Sequence, residues 1–147
     1  MTSLTVATLL QASILAASPE TYAVAHQETV KTGKPLVVMI STDWCAPCRQ
    51  MKRDVIPKIR KDSVFSKVTF ANVNPDKEGR LAKKLTGGSS TIPQIIMYRE
   101  TEDGWKRRRL VGFQSVATVK KFLASGIATA KSRTDRPMKT TLTKVSK

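Results

Sequence analysis

The sequence predicts an α/β domain in which a parallel strand-helix-strand unit is followed by an antiparallel hairpin and a covering helix. The first observation is an apolar run within residues 36–42 that passes directly into a helical pattern. The second is a pair of strand-like segments at 94–99 and 105–111, joined by a short turn that ends at Gly104. The third is size, because 147 residues with 40% hydrophobic content suffice for one domain with a sizeable core.

The first half of the chain carries two predicted helices around the apolar strand. Ser18 and Pro19 suit the N-cap and first position of a helix, and Gly33 suits its C-terminal end. The strand at 36–42 is apolar over most of its length, as a central parallel strand should be. We expect Pro57 to kink or interrupt the helix that follows this strand.

In the second half of the chain, predicted strands and helices alternate, and a final helix follows the hairpin. The predicted elements are a strand at 68–73, a helix at 77–85, hairpin strands at 94–99 and 105–111, and a helix that Ser115 caps and that ends near Gly126. We therefore assign the folded domain to residues 18–126.

The only two cysteines, Cys45 and Cys48, lie two residues apart at the point where the apolar strand becomes a helix. A Cys-X-X-Cys pair in this position indicates a reversible dithiol/disulfide switch. Cys45 should lie at the helix N-terminus, where free N–H groups and the positive end of the dipole favour the thiolate. Cys48 should lie one turn further on, close enough to form the disulfide.

The composition argues against a metal site and against a cofactor. Two cysteines and one histidine fall short of the four ligands of a closed zinc site, so we expect no metal.

The formal net charge of +15 favours acidic partners or anionic surfaces. The run 106–109 holds four basic residues, but the side chains of a strand alternate between its two faces, and no recognised nucleic-acid motif accompanies it. We therefore do not expect nucleic acid to be the partner.

Both ends of the chain lie outside the predicted domain. Residues 4–17 are apolar but too short to span a bilayer, and small residues follow at 16–18, as in a secretory signal. No Lys or Arg precedes this segment, which is atypical of such signals. We favour export, to the periplasm or another extracytoplasmic space, over an N-terminal element of a cytoplasmic protein. Residues 127–147 contain six basic residues against one acidic residue, without apolar periodicity, and we expect a disordered basic tail.

The chain resembles the thioredoxin superfamily over residues 19–126. Three features carry the resemblance, namely the motif from Trp44 to Cys48, the pair Ile92-Pro93 and the later Gly112. The resemblance implies a thioredoxin-like fold, with a central mixed β-sheet flanked by helices. It also implies that Cys45 is the attacking nucleophile and Cys48 the resolving thiol. For these roles Cys45 should be partly exposed and Cys48 more buried.

The resemblance further implies a substrate-binding set beside the disulfide. Trp44 would offer an apolar contact, and a cis Pro93 would leave backbone groups of Thr91 and Ile92 free to pair with an extended peptide. Other residues would modulate the chemistry. These are Ala46, Pro47, Arg49, Met39 and Asn72.

Two positions depart from the family pattern. Met39 stands where thioredoxins have a buried aspartate, and Asn72 stands where they have its lysine partner. Because that pair is thought to move the proton of the resolving cysteine, Cys48 here lacks an internal general base, and the proton transfer should fall to water. Arg49 and its basic neighbours should favour the Cys45 thiolate, which makes a disulfide more oxidising.

We predict a thiol–disulfide oxidoreductase that acts, as a monomer, on protein disulfides or dithiols and exchanges electrons with an upstream redox partner. The alternative is a thioredoxin-fold module for binding or redox sensing, with weak or no turnover. The missing aspartate is the main support for that alternative.

Overall fold

The computed structural model describes residues 20–130, so the predicted export signal and all but the first four residues of the predicted tail lie outside the described residues. The first helix, α1 (Tyr22–Thr32), begins at Thr21, whose side chain accepts a hydrogen bond from the Val24 amide. The expected cap at Ser18 is therefore wrong by three residues, because Thr21 supplies the same kind of hydroxyl closer to the helix. Gly33 ends α1 in the left-handed conformation, as predicted.

The second helical region follows strand β1 (Leu36–Ile40) and is continuous through three segments. It consists of α2 (Ala46–Gln50), a π-helical turn (Met51–Val55) and α3 (Ile56–Arg60). We had expected Pro57 to kink or interrupt this helix, and the helix continues past it. It falls in the first turn of α3, directly after the π-helical turn, where the change of register accommodates its missing N–H.

The remaining elements follow the predicted order with small shifts at their ends. They are a 3₁₀ turn (Phe65–Lys67), β2 (Thr69–Val73), α4 (Gly79–Thr86), β3 (Gln94–Thr101), β4 (Gly104–Val111) and α5 (Val116–Ala128). Ser115 caps α5 as predicted, through a 3.1 Å hydrogen bond from the Thr118 amide to Ser115 Oγ. Helix α5 ends two residues beyond the expected end near Gly126.

The four strands form one mixed sheet in the order β2-β1-β3-β4. Strand β1 pairs in parallel with β2 and antiparallel with β3, and β3 and β4 form the antiparallel hairpin. One face of the sheet packs with α3 and α5, and the other packs with α1 and α4. This is the mixed sheet flanked by helices that we expected. Within residues 20–130, no helix is both long and apolar enough to cross a membrane.

Candidate active site

A disulfide joins Cys45 and Cys48 at the N-terminus of α2. Cys45 is the N-cap residue, and its Sγ accepts a 3.3 Å hydrogen bond from the Cys48 amide. Ala46 and Pro47, between the two cysteines, are exposed and form the first turn, where a proline loses no helical hydrogen bond. The strand-to-helix junction thus places both sulfur atoms in the field of the free amides of a helix start.

The two cysteines differ in exposure, but less than we expected. Cys48 is fully buried and Cys45 is 5% exposed, so Cys45 is the more accessible of the two. The expectation of a partly exposed Cys45 does not hold for this oxidised form. The reason is local, since its sulfur is bonded to Cys48 Sγ and accepts the Cys48 amide, and both contacts direct it toward the helix.

Trp44 is the largest exposed apolar side chain beside the disulfide, at 68% exposed. Its indole Nε1 donates a 2.9 Å hydrogen bond to Asp76 Oδ2. Asp76 follows β2, and Trp44 follows β1. Parallel strands end at the same edge of a sheet, so these two loops meet there. We had not predicted Asp76 as part of the site.

The basic residues after Cys48 each have partners nearby. Arg49 Nη1 donates to the carbonyl oxygens of Asp43 and Trp44, at 3.0 and 2.8 Å, so it holds the loop that leads into Cys45. Lys52 Nζ lies 3.5 Å from Asp43 Oδ1, and Arg53 pairs with Asp54. Two of the three charges therefore have carboxylate partners.

The loop before β3 reaches the same site, because its Ile92 lines a cavity together with Trp44. Its Ile92–Pro93 peptide bond is cis, and the Pro93 carbonyl accepts a 2.8 Å hydrogen bond from the Gly112 amide. The Thr91 carbonyl was expected to be free for a peptide, but it accepts a 2.7 Å hydrogen bond from Gln94 Nε2. The backbone of Ile92 is therefore the better candidate for pairing with a substrate.

Met39 and Asn72 are direct partners in the parallel pairing of β1 and β2. Met39 is 1% exposed and belongs to the same core cluster as Met51, three residues after Cys48. The Asn72 side-chain oxygen accepts a 2.8 Å hydrogen bond from Ser41 Oγ. A cavity of about 240 Å³ reaches both residues. Its other lining residues are Glu20, Lys52, Ile56, Pro57, Arg60 and Phe70.

A groove of about 350 Å³ runs from Trp44 along α4. Its walls are largely apolar, with Ile40, Ala82 and Ile92 among the lining residues, and Asp76 and Lys83 are its charged members. A side chain of a docked protein could therefore be buried within reach of the disulfide. We had not predicted this groove, because its walls join residues 40–44 to residues 75–92, which are distant in sequence.

Together, the mixed sheet and a disulfide at the N-terminus of the helix after β1 define a class of dithiol/disulfide protein. The thioredoxin family model matches residues 18–125, and the chain belongs to this family. The family and the Cys45/Cys48 pair are those of thiol–disulfide oxidoreductases.

Relatives and solved structures agree with this assignment. A thioredoxin of Rickettsia bellii is 31% identical over 77 residues, which cover 52% of this chain and 70% of the relative. The mitochondrial thioredoxin-2 of Schizosaccharomyces pombe is 30% identical over 99 residues, covering 67% of this chain and 68% of the relative. A Thermus thermophilus thioredoxin structure superposes with a TM-score of 0.59 at 20% identity, over 72% of this chain and 83% of that one, and confirms the thioredoxin-like fold.

Proposed function

We propose that this protein exchanges disulfides with protein substrates through Cys45 and Cys48. The single observation that carries the proposal is the pairing of these residues in a disulfide at the start of α2, with the Cys48 sulfur the more buried of the two. The helix N-terminus at the pair, with an exposed tryptophan and an open groove next to it, supports a reactive role for these cysteines.

The exchange runs in two steps when the dithiol is the reductant. The Cys45 thiolate attacks a substrate disulfide, forms a mixed disulfide and releases one substrate thiolate, which takes up a proton. The Cys48 thiol then loses its proton, and its thiolate attacks Cys45 Sγ. This step releases the second substrate thiolate and restores the disulfide, so two electrons pass to the substrate. The reverse sequence oxidises a substrate dithiol, and an upstream redox partner restores the starting state.

Exposed apolar side chains beside the disulfide support a protein as the substrate. Trp44 directly precedes Cys45, and the exposed side chains of Val111 and Phe113 flank Gly112. These two stand next to the cis-proline loop through the hydrogen bond between Gly112 and Pro93. An extended segment of a substrate would contact this rim and pair with the Ile92 backbone.

Reduction of insulin disulfides with dithiothreitol as electron source separates this proposal from a binding or sensing module. We expect the wild-type protein to accelerate reduction, and the variant Cys45→Ser/Cys48→Ser to give the rate of dithiothreitol alone. Equal rates for both proteins would favour the module without turnover.

We also propose that the protein works outside the cytoplasm, on the strength of the apolar segment within residues 1–17. N-terminal sequencing of protein from the native host should find a mature chain that begins near residue 17 or 18. Soluble cytoplasmic protein that retains residue 1 would contradict this proposal.

A further inference from the structure

A second pocket, more polar than the groove, adjoins it at Thr86, which lines both. This open basin of about 520 Å³ is lined by Thr86, Gly87, Arg107 and Arg109, and we call it the arginine pocket. The groove begins at Trp44, so a segment that passes along it from the disulfide arrives at the arginine pocket.

Of the four consecutive basic residues at 106–109, the fold places Arg107 and Arg109 on the same face of the sheet. In the hairpin, Arg107 lies opposite Tyr98 and Arg109 lies opposite Ile96, both on the sheet face that packs with α1 and α4. Arg108 points to the other face, where its guanidinium lies 5.4 Å from the centre of the Phe122 ring. The expected alternation of side chains between the two faces of β4 is confirmed. It leaves Arg107 and Arg109 on the face that carries the groove.

Contacts with the end of α4 place the two guanidinium groups. Arg109 Nη1 donates a 3.3 Å hydrogen bond to the Thr86 carbonyl. A Cβ atom on Gly87 would lie 3.8 Å from Arg107 Nη1, so this guanidinium lies over the glycine backbone. A guanidinium carries five N–H donors, so one bond to a carbonyl leaves Arg109 with donors for a ligand.

The two elements that line the pocket carry only positive charge, while Glu100 of β3 lies on the same sheet face, two residues from Tyr98, the partner of Arg107. Helix α4 contains Arg80, Lys83 and Lys84, and β4 contains four basic residues, while neither contains Asp or Glu. Basic residues on an edge strand also discourage the pairing of two sheet edges, which accounts for charge on β4 in general. Edge protection does not require two arginines to converge on the C-terminal end of α4, beside the groove.

We propose that the arginine pocket binds an acidic side chain of a disulfide-bearing protein segment that occupies the groove. This inference rests on the proposed function and names its substrate class. The apolar groove takes an uncharged side chain near the disulfide, and the two guanidinium groups take a carboxylate further along the same segment.

The test uses a set of neutral peptides, each with one cysteine in a mixed disulfide with 2-mercaptoethanol. One Glu is moved along the peptide, and each Glu peptide is compared with the Gln peptide of the same sequence. We measure the second-order rate constant for reduction by the reduced protein. Binding of the same peptides, fluorescently labelled, to Cys45→Ser/Cys48→Ser is measured by anisotropy, where no chemistry can occur.

We expect Glu to accelerate the reaction and tighten binding at one or two positions only. An exposed charge pair changes an affinity by up to about fivefold, so two arginines should give about threefold to tenfold. The variant Arg107→Gln/Arg109→Gln should lose this advantage and keep the rate for the Gln peptides. Arg107→Lys/Arg109→Lys, which keeps the charge, should retain part of the advantage.

The matched control is Lys106→Gln/Lys121→Gln, which removes the same charge from exposed positions on the other face of β4 and on α5. It should behave as the wild type. Equal loss in this control, or a Glu advantage that does not depend on position, would overturn the inference in favour of a general charge effect. Displacement of the Glu peptide by a single-stranded oligonucleotide that binds more tightly at equal ionic strength would also overturn it, in favour of nucleic acid.

Failure of the inference can be distinguished from failure of the proposed function. If Glu and Gln peptides are reduced equally fast and bound equally well, the arginine pocket has no such role, while the exchange reaction stands. If no peptide is reduced but the Glu peptides bind through the two arginines, the exchange proposal fails and the proposed role of the arginine pocket in binding stands.

Discussion

Replacing Met39 by Asp tests how Cys48 loses its proton. Met39 is 1% exposed, and removing its buried apolar side chain costs about 1.5–3 kcal/mol. Burying a carboxyl group without a full set of partners costs about 1–3 kcal/mol more. We therefore expect Met39→Asp to lower the free energy of unfolding by about 2.5–6 kcal/mol. The value should fall toward the lower end, because the cavity beside Met39 and Asn72 has room for water.

The loss of stability should depend on pH in a defined direction. Burial raises the pKa of a carboxyl group in the folded protein above its value in the unfolded chain. The variant is therefore relatively more stable below the unfolded pKa of about 4 and loses stability as pH rises through the folded pKa. Urea denaturation at pH 4 and pH 7, referenced to wild type, should show the smaller loss at pH 4.

The same variant should accelerate the second step of the exchange. In the family, the carboxylate at this position serves the resolving cysteine, so the introduced carboxylate should accept the proton of Cys48. Release of a peptide linked to Cys45 should then be faster at pH values above the carboxyl pKa. Adding Asn72→Lys supplies a positive partner and should recover part of the stability, although it removes the hydrogen bond from Ser41. Stopped-flow release of a fluorescent peptide measures this step.

Two control variants separate proton transfer from packing. Met39→Asn buries a polar group that does not titrate, and Met39→Leu keeps the site apolar at a cost below about 1.5 kcal/mol. Neither should accelerate release. Equal release rates for wild type and Met39→Asp across the pH range, or equal acceleration by Met39→Asn, would refute a role for position 39 in proton transfer.

Three further substitutions test how the fold is held together. Gly126→Ala should destabilise the protein by about 1–3 kcal/mol in thermal or urea unfolding, because its Cβ would clash with the buried Met97 side chain. Gly79→Ala, where a Cβ meets nothing within 4 Å, should instead stabilise the protein by up to about 1 kcal/mol, and destabilisation by both would contradict this packing. Asp62→Asn should lower stability at pH 7, because the hydrogen bond from Lys120 lowers the pKa of Asp62. The contribution of this pair is present at neutral pH and is lost as pH falls through the folded pKa. The difference from wild type should therefore vanish in acid, and a constant difference would contradict this reasoning.

Local patterns predicted most of the fold. The left-handed Gly33, the Ser115 cap and the hairpin turn each depend on a few neighbouring residues, and the structure has all three. The first helix cap was misplaced because Ser18 and Thr21 offer the same hydroxyl group. At Pro57 we expected a kink or an interruption, but we did not expect the π-helical turn directly before it, which has no sequence signal that we recognised.

The disulfide of the site was predictable from the sequence, but the contacts around it were not. The Cys45/Cys48 pairing follows from spacing at a strand-helix junction. The bond from Trp44 to Asp76 and that from Gln94 to the Thr91 carbonyl both depend on side chains brought together across loops. Such contacts are set by tertiary packing, which periodicity and spacing do not encode.

Trapping of the mixed disulfide tests the central claim most directly. The variant Cys48→Ser is reduced, mixed with a peptide disulfide and analysed by peptide mapping, with Cys45→Ser treated in parallel. We expect Cys48→Ser to accumulate peptide attached to Cys45, and Cys45→Ser, whose remaining thiol is fully buried, to accumulate almost none. Peptide attached mainly to Cys48 in Cys45→Ser, or none on either variant, would contradict the claim that Cys45 attacks and Cys48 resolves.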